Sequence, residues 1–381
     1  MHKKLKPFEE PIFVTKPLLP DLNDILNKLK EVWNAQLLTN NGTQHRILEE
    51  KLKHFLGVPA ISLFNNGTTA LMVACKSLGI TGDVITTPFT FAATPHILTW
   101  NTLNPVFCDI DPLTMNIDPN KIESMITPQT TAILAVHVFG TPCDVYKIQE
   151  IANQYKLKII YDAAHAFNLK INGENIGNFG DITMFSFHAT KLFHTAEGGA
   201  LTYRDKSLTT RINLMKNFGI KNEEEVILPG INGKMNEIQA VLGLVVLEMI
   251  EEERRKREQI RTLYWERLNE IEGISLLPEI PGVQSSLQYF PIRINKEIFG
   301  ISRDDLYEEL KTFNIFTRKY FYPLCSDFPC YRNLPSASPH NLPNSQQVVN
   351  EVLVLPFYGG LGLEKASSIC EIIKSIKESK F

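Results

Sequence analysis

From residue 59 to residue 205 the chain alternates short β-rich runs with helix-period segments, and few folds accept that order. The runs are AISLF, DVITTPFTF, NPVFCDI, TAILAVHVFG, LKIIYDAAHA, DITMFSFH and GGALTYR; between them lie segments such as TTALMVACKSLG and DVYKIQEIANQYKL. Strands alternating with helices predict an α/β fold with an open, mostly parallel sheet, because the crossover helices that parallel strands require also cover both faces.

After residue 230 the rhythm changes. MNEIQAVLGLVVLEMIEEERRKREQIRTLYWERLNEI reads as one long helix or two joined ones, with EEERRKRE as a solvated face. QYFPIRIN predicts a strand, RDDLYEELKTF a helix with acidic residues in its first turn, and VNEVLVLPF closes a smaller α+β unit. The expected organisation is a large domain over residues 1–250, with an N-terminal arm over 1–20, and a small C-terminal domain over 251–381. A chain of 381 residues with 44% hydrophobic content can fill both cores.

Charge excludes several classes of partner. A formal net charge of -3 gives no electrostatic footprint for nucleic acid or an anionic membrane. No apolar run approaches the ~20 residues of a membrane-spanning helix. No apolar segment follows the basic residues of MHKKLKPFEEPIF, so a secretory signal is not expected. Cysteines 75, 108, 143, 325, 330 and 370 show no CxxC spacing, which reads as reduced thiols in a cytoplasmic protein without a zinc site. His188 and His194 are six apart and do not fit metal ligation from one helix face.

The chemistry-bearing residues gather after strands. Asp162 follows the buried run KIIY, at the carboxyl edge where open α/β sheets bind ligands; a helix N-cap is an equally valid reading of its position. Gly67 and Thr68 open a helix after AISLF, so free N–H groups and the helix dipole offer an anion site suited to phosphate. Phe89 in TTPFTF stands near a strand end, where it either lies on a planar ring or packs in the core. Ser186, His188 and Lys191 leave another strand within six residues, ahead of Glu-Gly-Gly. Pyridoxal phosphate needs this whole set: a lysine for its Schiff base, a carboxylate for its pyridine nitrogen, helix-end amides and hydroxyls for phosphate, and an aromatic for its ring.

With those residues in place, the chain resembles the DegT/DnrJ/EryC1/StrS sugar aminotransferase family, fold-type I pyridoxal-phosphate enzymes acting on nucleotide-linked keto sugars. The resemblance covers nearly the whole chain and is densest in NNGTTAL, GDVITTPFTFAAT, NPVFCDIDPLTMNID, VHVFGTPCD, IIYDAAHAF, FGDITMFSFHATK, EGGAL and GINGKMNEIQAVLG. It implies an aspartate-aminotransferase-like fold. It also implies roles: Lys191 carries the cofactor as a Schiff base, Asp162 pairs with the pyridinium nitrogen, and His165 lies near the phenolic oxygen. Gly67, Thr68 and Ser186 hold the phosphate, and Phe89 stacks on the ring. Asn232 reaches the phosphate of a neighbouring subunit, which implies a homodimer with shared active sites.

Two positions depart from the family pattern: Lys234 stands where many members carry arginine, and His165 where many carry glutamine. The first leaves the role of Lys234 open; the second keeps a hydrogen-bond donor, since imidazole can also donate. One branch replaces the Schiff-base lysine with histidine and dehydrates; Lys191 favours transamination instead. The implied cycle takes an amino group from L-glutamate, with pyridoxamine phosphate as intermediate. Lys191 must be neutral to serve it, well below the ~10.4 of a free lysine.

RKYFYPL supplies Arg318, Lys319 and Tyr320, which resemble a segment near the family's nucleotide-sugar site; a surface strand with snorkelling charges is the competing reading. Taken with SFHATKLF and GINGKM, it is similar to the branch that converts dTDP-4-keto-6-deoxyglucose to dTDP-4-amino-4,6-dideoxyglucose, for lipopolysaccharide, other polysaccharide or secondary-metabolite sugars. A 3-keto or UDP-linked substrate is the alternative, and a pyridoxal-phosphate lyase of the same fold comes after it. A desulfurase needs a nucleophilic cysteine on a mobile loop, and no cysteine here stands in a recognisable one. A non-catalytic binder would carry a DNA-binding module or lack the lysine.

Overall fold

The seven β-rich runs become the seven strands of one sheet in the computed structural model, which describes residues 6–380. The first five residues of the expected N-terminal arm, and Phe381 at the chain's end, lie outside the described residues. The strands are β1 (Ile61–Phe64), β2 (Asp83–Thr86), β3 (Asn104–Phe107), β4 (Thr130–Val136), β5 (Lys158–Asp162), β6 (Ile182–Ser186) and β7 (Gly199–Thr202). Their order is β1-β7-β6-β5-β4-β2-β3. Strand β7 runs antiparallel to both of its neighbours, and every other pair is parallel. The carboxyl ends of β1, β2, β5 and β6 therefore share one edge.

Helices α1 (Leu22–Ala35), α2 (Thr43–Leu56), α3 (Gly67–Ser77), α4 (Ala93–Trp100) and α5 (Val145–Tyr155) precede the 32-residue α6 (Glu237–Leu268); α7 (Arg303–Thr312) and α8 (Gly362–Glu378) follow it. Alternation along the strands sends side chains to opposite faces. Ile85, Ile159 and Tyr161 join Leu52, Ile148 and Leu244 on the face covered by α2, α5 and α6. Val84, Ile160 and Met184 join Leu71, Ala74 and Ile97 on the face covered by α3 and α4. Because both faces are buried, the strands read as near-continuous apolar runs.

The second core lies around an antiparallel sheet of β8 (Ile274–Leu276), β9 (Phe290–Ile294) and β10 (Val352–Leu355), in the order β8-β9-β10. Ile260, Tyr264 and Leu268 of α6 and Ile369 and Ile373 of α8 fill it. The boundary expected at residue 250 falls within α6. Ile250 belongs to the first core and Ile260 to the second, so one uninterrupted helix carries both. The N-terminal arm also reaches the second core, where Ile12–Phe13 pairs in parallel with Ile315–Phe316.

Helix α6 starts at a capping box between Asn236 and Gln239. Its first-turn Glu237 caps α2 in turn, accepting from Gln44 N at 2.8 Å and His45 N at 2.9 Å. No helix among the described residues is long and apolar enough to cross a membrane.

Candidate active site

At the shared strand edge lies a cavity of 570 Å³ whose lining includes Gly67, Thr68, Asp162, His165, Ser186 and Lys191. Six residues named from sequence thus meet in one place. The phosphate-sized part is built by β1, α3 and β6. Asn66 caps α3, its Oδ1 accepting from Thr69 N at 2.8 Å, which leaves the Gly67 and Thr68 N–H groups at the helix mouth. A Cβ on Gly67 would lie 3.2 Å from the Ser186 Cβ and 3.0 Å from the Met184 Sδ, so glycine lets the helix mouth close on the end of β6.

Asp162 ends β5 and takes no helix N-cap role, since the residues after it form turns. Its Oδ1 accepts from Ala164 N at 3.0 Å and its Oδ2 from Thr94 Oγ1 at 2.8 Å; Thr94 in turn shares a 2.9 Å hydrogen bond with Thr90. Burial pushes the carboxyl above its ordinary range, opposed by those two hydrogen bonds and by Lys191. A buried carboxylate held this way is suited to a protonated ring nitrogen, which would return it to the ionised state.

His165 is buried, and burial holds its ring neutral, well below its ordinary pKa. Phe139 N donates to His165 Nδ1 at 3.3 Å, so the proton resides on Nε2 and that nitrogen is the donor. The ring lies parallel to Phe139 and Phe321, at interplanar angles of 7° and 3°.

Lys191 stands in the loop after β6, its N–H donating to His188 O at 2.8 Å. Burial lowers its Nζ to about 8; Tyr320 and Asp162 oppose the shift and Arg318 adds to it. The Tyr289 ring centroid is 5.8 Å from the Nζ. Lowered to about 8, the amine has a neutral, nucleophilic fraction near neutral pH far larger than an ordinary lysine has.

Two expectations are corrected. Phe89 does not reach the cavity: it is 0% exposed and packs edge-on against Phe139 and Phe321. Phe91, 57% exposed, lines the cavity in its place. The strand ends at Thr86, and in the turn that follows Phe89 N bonds Thr87 Oγ1 at 3.1 Å, which turns Phe89 under and brings Phe91 out. Lys319 is also turned away, pairing with Asp304 at 2.6 Å and lying over the Tyr307 ring, whereas Arg318 and Tyr320 line the cavity. Alternation along an extended segment separates the two neighbouring cations. Asn232 is exposed and outside this cavity's lining, its carbonyl accepting from Asn65 Nδ2 at 3.3 Å. Lys234 donates to Asn217 Oδ1 at 2.7 Å.

Sequence reasoning missed Phe91, Thr94, Gln288 and Tyr289. Phe91 is the second aromatic of the same TTPFTF run, and Thr94 lies one helical turn beyond Thr90. Gln288 had one visible signal, an amide opening an otherwise apolar strand. A larger cavity of 690 Å³ lies behind Phe139 and Tyr289, but its arginines are engaged, Arg254 by the Ser285 and Ser286 carbonyls and Arg261 by Glu258 and Glu279. No cysteine lines the 570 Å³ cavity. Among the described residues no group of three or more His, Cys, Asp or Glu could hold a metal ion.

The residues present fit pyridoxal phosphate. The helix mouth and Ser186 suit its phosphate, Phe91 its ring face, Asp162 its ring nitrogen, His165 Nε2 its phenolic oxygen and Lys191 its aldehyde.

Comparison with known proteins points the same way. The model of the DegT/DnrJ/EryC1/StrS aminotransferase family matches residues 21–374. A dTDP-4-amino-4,6-dideoxy-D-glucose transaminase of Shigella dysenteriae is 45% identical over 371 residues, covering 97% of this chain and 100% of that protein. The Escherichia coli protein of the same name is 47% identical over 368 residues, covering 96% and 98%. Among solved structures, that of DesI in the presence of its TDP-sugar product superposes with a TM-score of 0.93 at 33% identity, covering 98% of this chain and 95% of the other.

Proposed function

The chain belongs to the DegT/DnrJ/EryC1/StrS aminotransferase family, and on that premise we propose that it transfers the amino group of L-glutamate to C4 of dTDP-4-keto-6-deoxyglucose. The product is dTDP-4-amino-4,6-dideoxyglucose, an amino sugar for polysaccharide, lipopolysaccharide or secondary-metabolite glycosylation. The enzyme is a pyridoxal-phosphate-dependent aminotransferase. For the reaction class, the observation that carries the reading is Lys191, Asp162, His165 and the α3 mouth in one cavity. For the substrate, it is identity of 45% and 47%, over nearly the whole chain, to two transaminases named for that sugar.

Bound pyridoxal phosphate supplies an aldehyde that captures amines and a ring that accepts the electrons left when the substrate Cα–H bond breaks. Gly67, Thr68 and Ser186 bind its phosphate through the helix-end N–H groups and a hydroxyl. Asp162, oriented by Thr94 and Ala164 N, keeps the ring nitrogen protonated. His165 donates from Nε2 to the phenolic oxygen. Lys191 would anchor the cofactor through Nζ, and its neutral Nζ, when not so engaged, would hold and move the proton of the donor Cα. Arg318, a cavity cation with its guanidinium 4.5 Å from the Tyr320 ring centroid, receives the anionic part of each substrate in turn.

Asn232, exposed and outside its own chain's cavity, is proposed to reach the phosphate site of a second copy, giving a homodimer with shared sites. We place the enzyme in the cytoplasm, where its soluble substrates would be made. The test is a product assay: purified enzyme, L-glutamate and a panel of dTDP- and UDP-linked 4-keto and 3-keto sugars, with the aminated carbon located by NMR. Turnover confined to a 3-keto or UDP-linked sugar would replace the substrate assignment and leave the reaction class intact.

A further inference from the structure

We infer that Gln288 is a positioning residue for Lys191, holding both peptide groups that flank it so that Nζ presents to the cavity in one geometry. The inference rests on the reading of Lys191 as cofactor anchor. Gln288 is 2% exposed and precedes β9 in the second domain, far from Lys191 in sequence. Its Oε1 accepts from Leu192 N at 2.7 Å, and its Nε2 donates to Thr190 O at 2.9 Å. Those two atoms belong to the peptide groups before and after the Lys191 Cα. Peptide groups are planar, so the residue between them has only two soft dihedrals. One amide that grips both planes fixes both dihedrals.

The grip is anchored from behind. Helix α6 reaches the strap over residues 285–287 with two arginines. Arg254 donates to Ser285 O at 2.9 Å and to Ser286 O at 3.3 Å; buried Arg257, paired with Glu253 at 2.6 Å, donates to Leu287 O at 3.1 Å. Ser286 Oγ donates to His165 O at 2.7 Å, and the Tyr289 ring stands edge-on to His165 at 4.9 Å. Three residues of this stretch therefore touch the backbone or ring around two site residues: Ser286 at the His165 carbonyl, Gln288 at the peptide groups flanking Lys191, and Tyr289 at the His165 ring. Of these, Gln288 is the residue that bonds the peptide groups flanking Lys191, and both halves of its amide are used. A methionine in its place would keep the volume and the neutrality of the side chain but make neither hydrogen bond.

The experiment compares wild type with Gln288→Met, which removes both amide hydrogen bonds without adding a charge. Apoprotein of each is mixed with pyridoxal phosphate between pH 6.5 and 9.5. Lys191 Nζ adds to the aldehyde carbon with loss of water, borohydride delivers hydride to the C=N carbon, and peptide mass spectrometry quantifies modified Lys191. Wild type should show a capture rate rising through about pH 8, the value to which burial lowers Lys191. The variant should melt cooperatively yet capture more slowly by about 100-fold, the scale of a small misplacement of a reacting group. Its midpoint should move up, because a displaced Nζ is better solvated. A purely structural role would lower Tm and leave the midpoint in place, and that result would overturn the inference.

Should Gln288→Met fail to fold, hydrogen exchange on wild-type protein decides instead. The Leu192 amide should be strongly protected, and exchange as fast as that of Ala189 would overturn the grip. Wild type that is not modified at Lys191 at all would sink the anchor reading itself, a result distinct from a variant that behaves like wild type.

Discussion

The hydroxyl of Thr94, at the start of α4, donates to Asp162 Oδ2 at 2.8 Å, so the carboxylate at the end of β5 is aimed by the neighbouring helix. Ala164 N fixes the other oxygen at 3.0 Å. With both oxygens held, the remaining lone pairs point to the cavity as a fixed acceptor for a ring N–H. Asp162→Asn should leave the cofactor bound and lower kcat more than affinity. Thr94→Val should produce a smaller loss of the same kind, about 10-fold, the worth of ~1.5 kcal/mol for a hydrogen bond to a charged group. Steady-state kinetics with measured cofactor affinity checks both. Unchanged kcat in Asp162→Asn would assign the electron-sink role to another group.

The two phenylalanines of TTPFTF should separate stability from binding. Phe91→Ala should weaken cofactor affinity by up to about 10-fold, the scale of a ring-stacking contact, with Tm little changed. Phe89→Ala should cost about 3–5 kcal/mol of stability, because it empties a fully buried site against Phe139 and Phe321. Thermal melts and fluorescence titration with pyridoxal phosphate distinguish the pair.

That pair also marks where the sequence stops being legible. The seven strands and α6 were readable because their signals are local: apolar runs, periodicity and crossover spacing. Lys191, Asp162, Gly67, Thr68 and Ser186 were placed together because each stands at or after the end of a strand, and His165 was added by the family resemblance. Which aromatic of TTPFTF faces the cavity depends on a turn beyond the end of β2, and no period extends there. Gln288 and Tyr289 come from the segment leading into β9, far along the chain from Lys191, and Lys319 leaves the site by alternation. These are long-range relations between elements, and a linear pattern does not carry them.

Neighbouring cations should part company in the same way. Arg318→Gln should raise KM for the nucleotide sugar by about 10-fold or more, on the scale of a lost charge-assisted hydrogen bond. Lys319→Gln should change it by less than about twofold, since Lys319 faces Asp304 and such ion pairs contribute little.

Acidity at Lys191 gives a pH signature. Its folded pKa of about 8 lies below the ordinary 10.5, so between those values the unfolded chain holds a proton that the folded chain has lost. Lys191 therefore makes apoprotein stability rise with pH across that window, and Lys191→Met should flatten this contribution. Urea titrations of apoprotein at pH 7.5, 8.5 and 9.5 read it directly; equal slopes in wild type and variant would show that the lysine is not buried as described.

Lys191→Ala should fold, bind pyridoxal phosphate weakly and show no transamination. Loss of general acid–base catalysis alone is about 10²–10⁴-fold, and the lost anchor adds to it. Turnover like wild type would remove Lys191 from the mechanism.

The central claim is tested most directly by the visible absorption spectrum of the wild-type enzyme loaded with pyridoxal phosphate, before and after L-glutamate. The account predicts a yellow protein whose long-wavelength band bleaches to the pyridoxamine form on adding glutamate and returns on adding dTDP-4-keto-6-deoxyglucose. A colourless protein, or a yellow one that neither substrate changes, would contradict it.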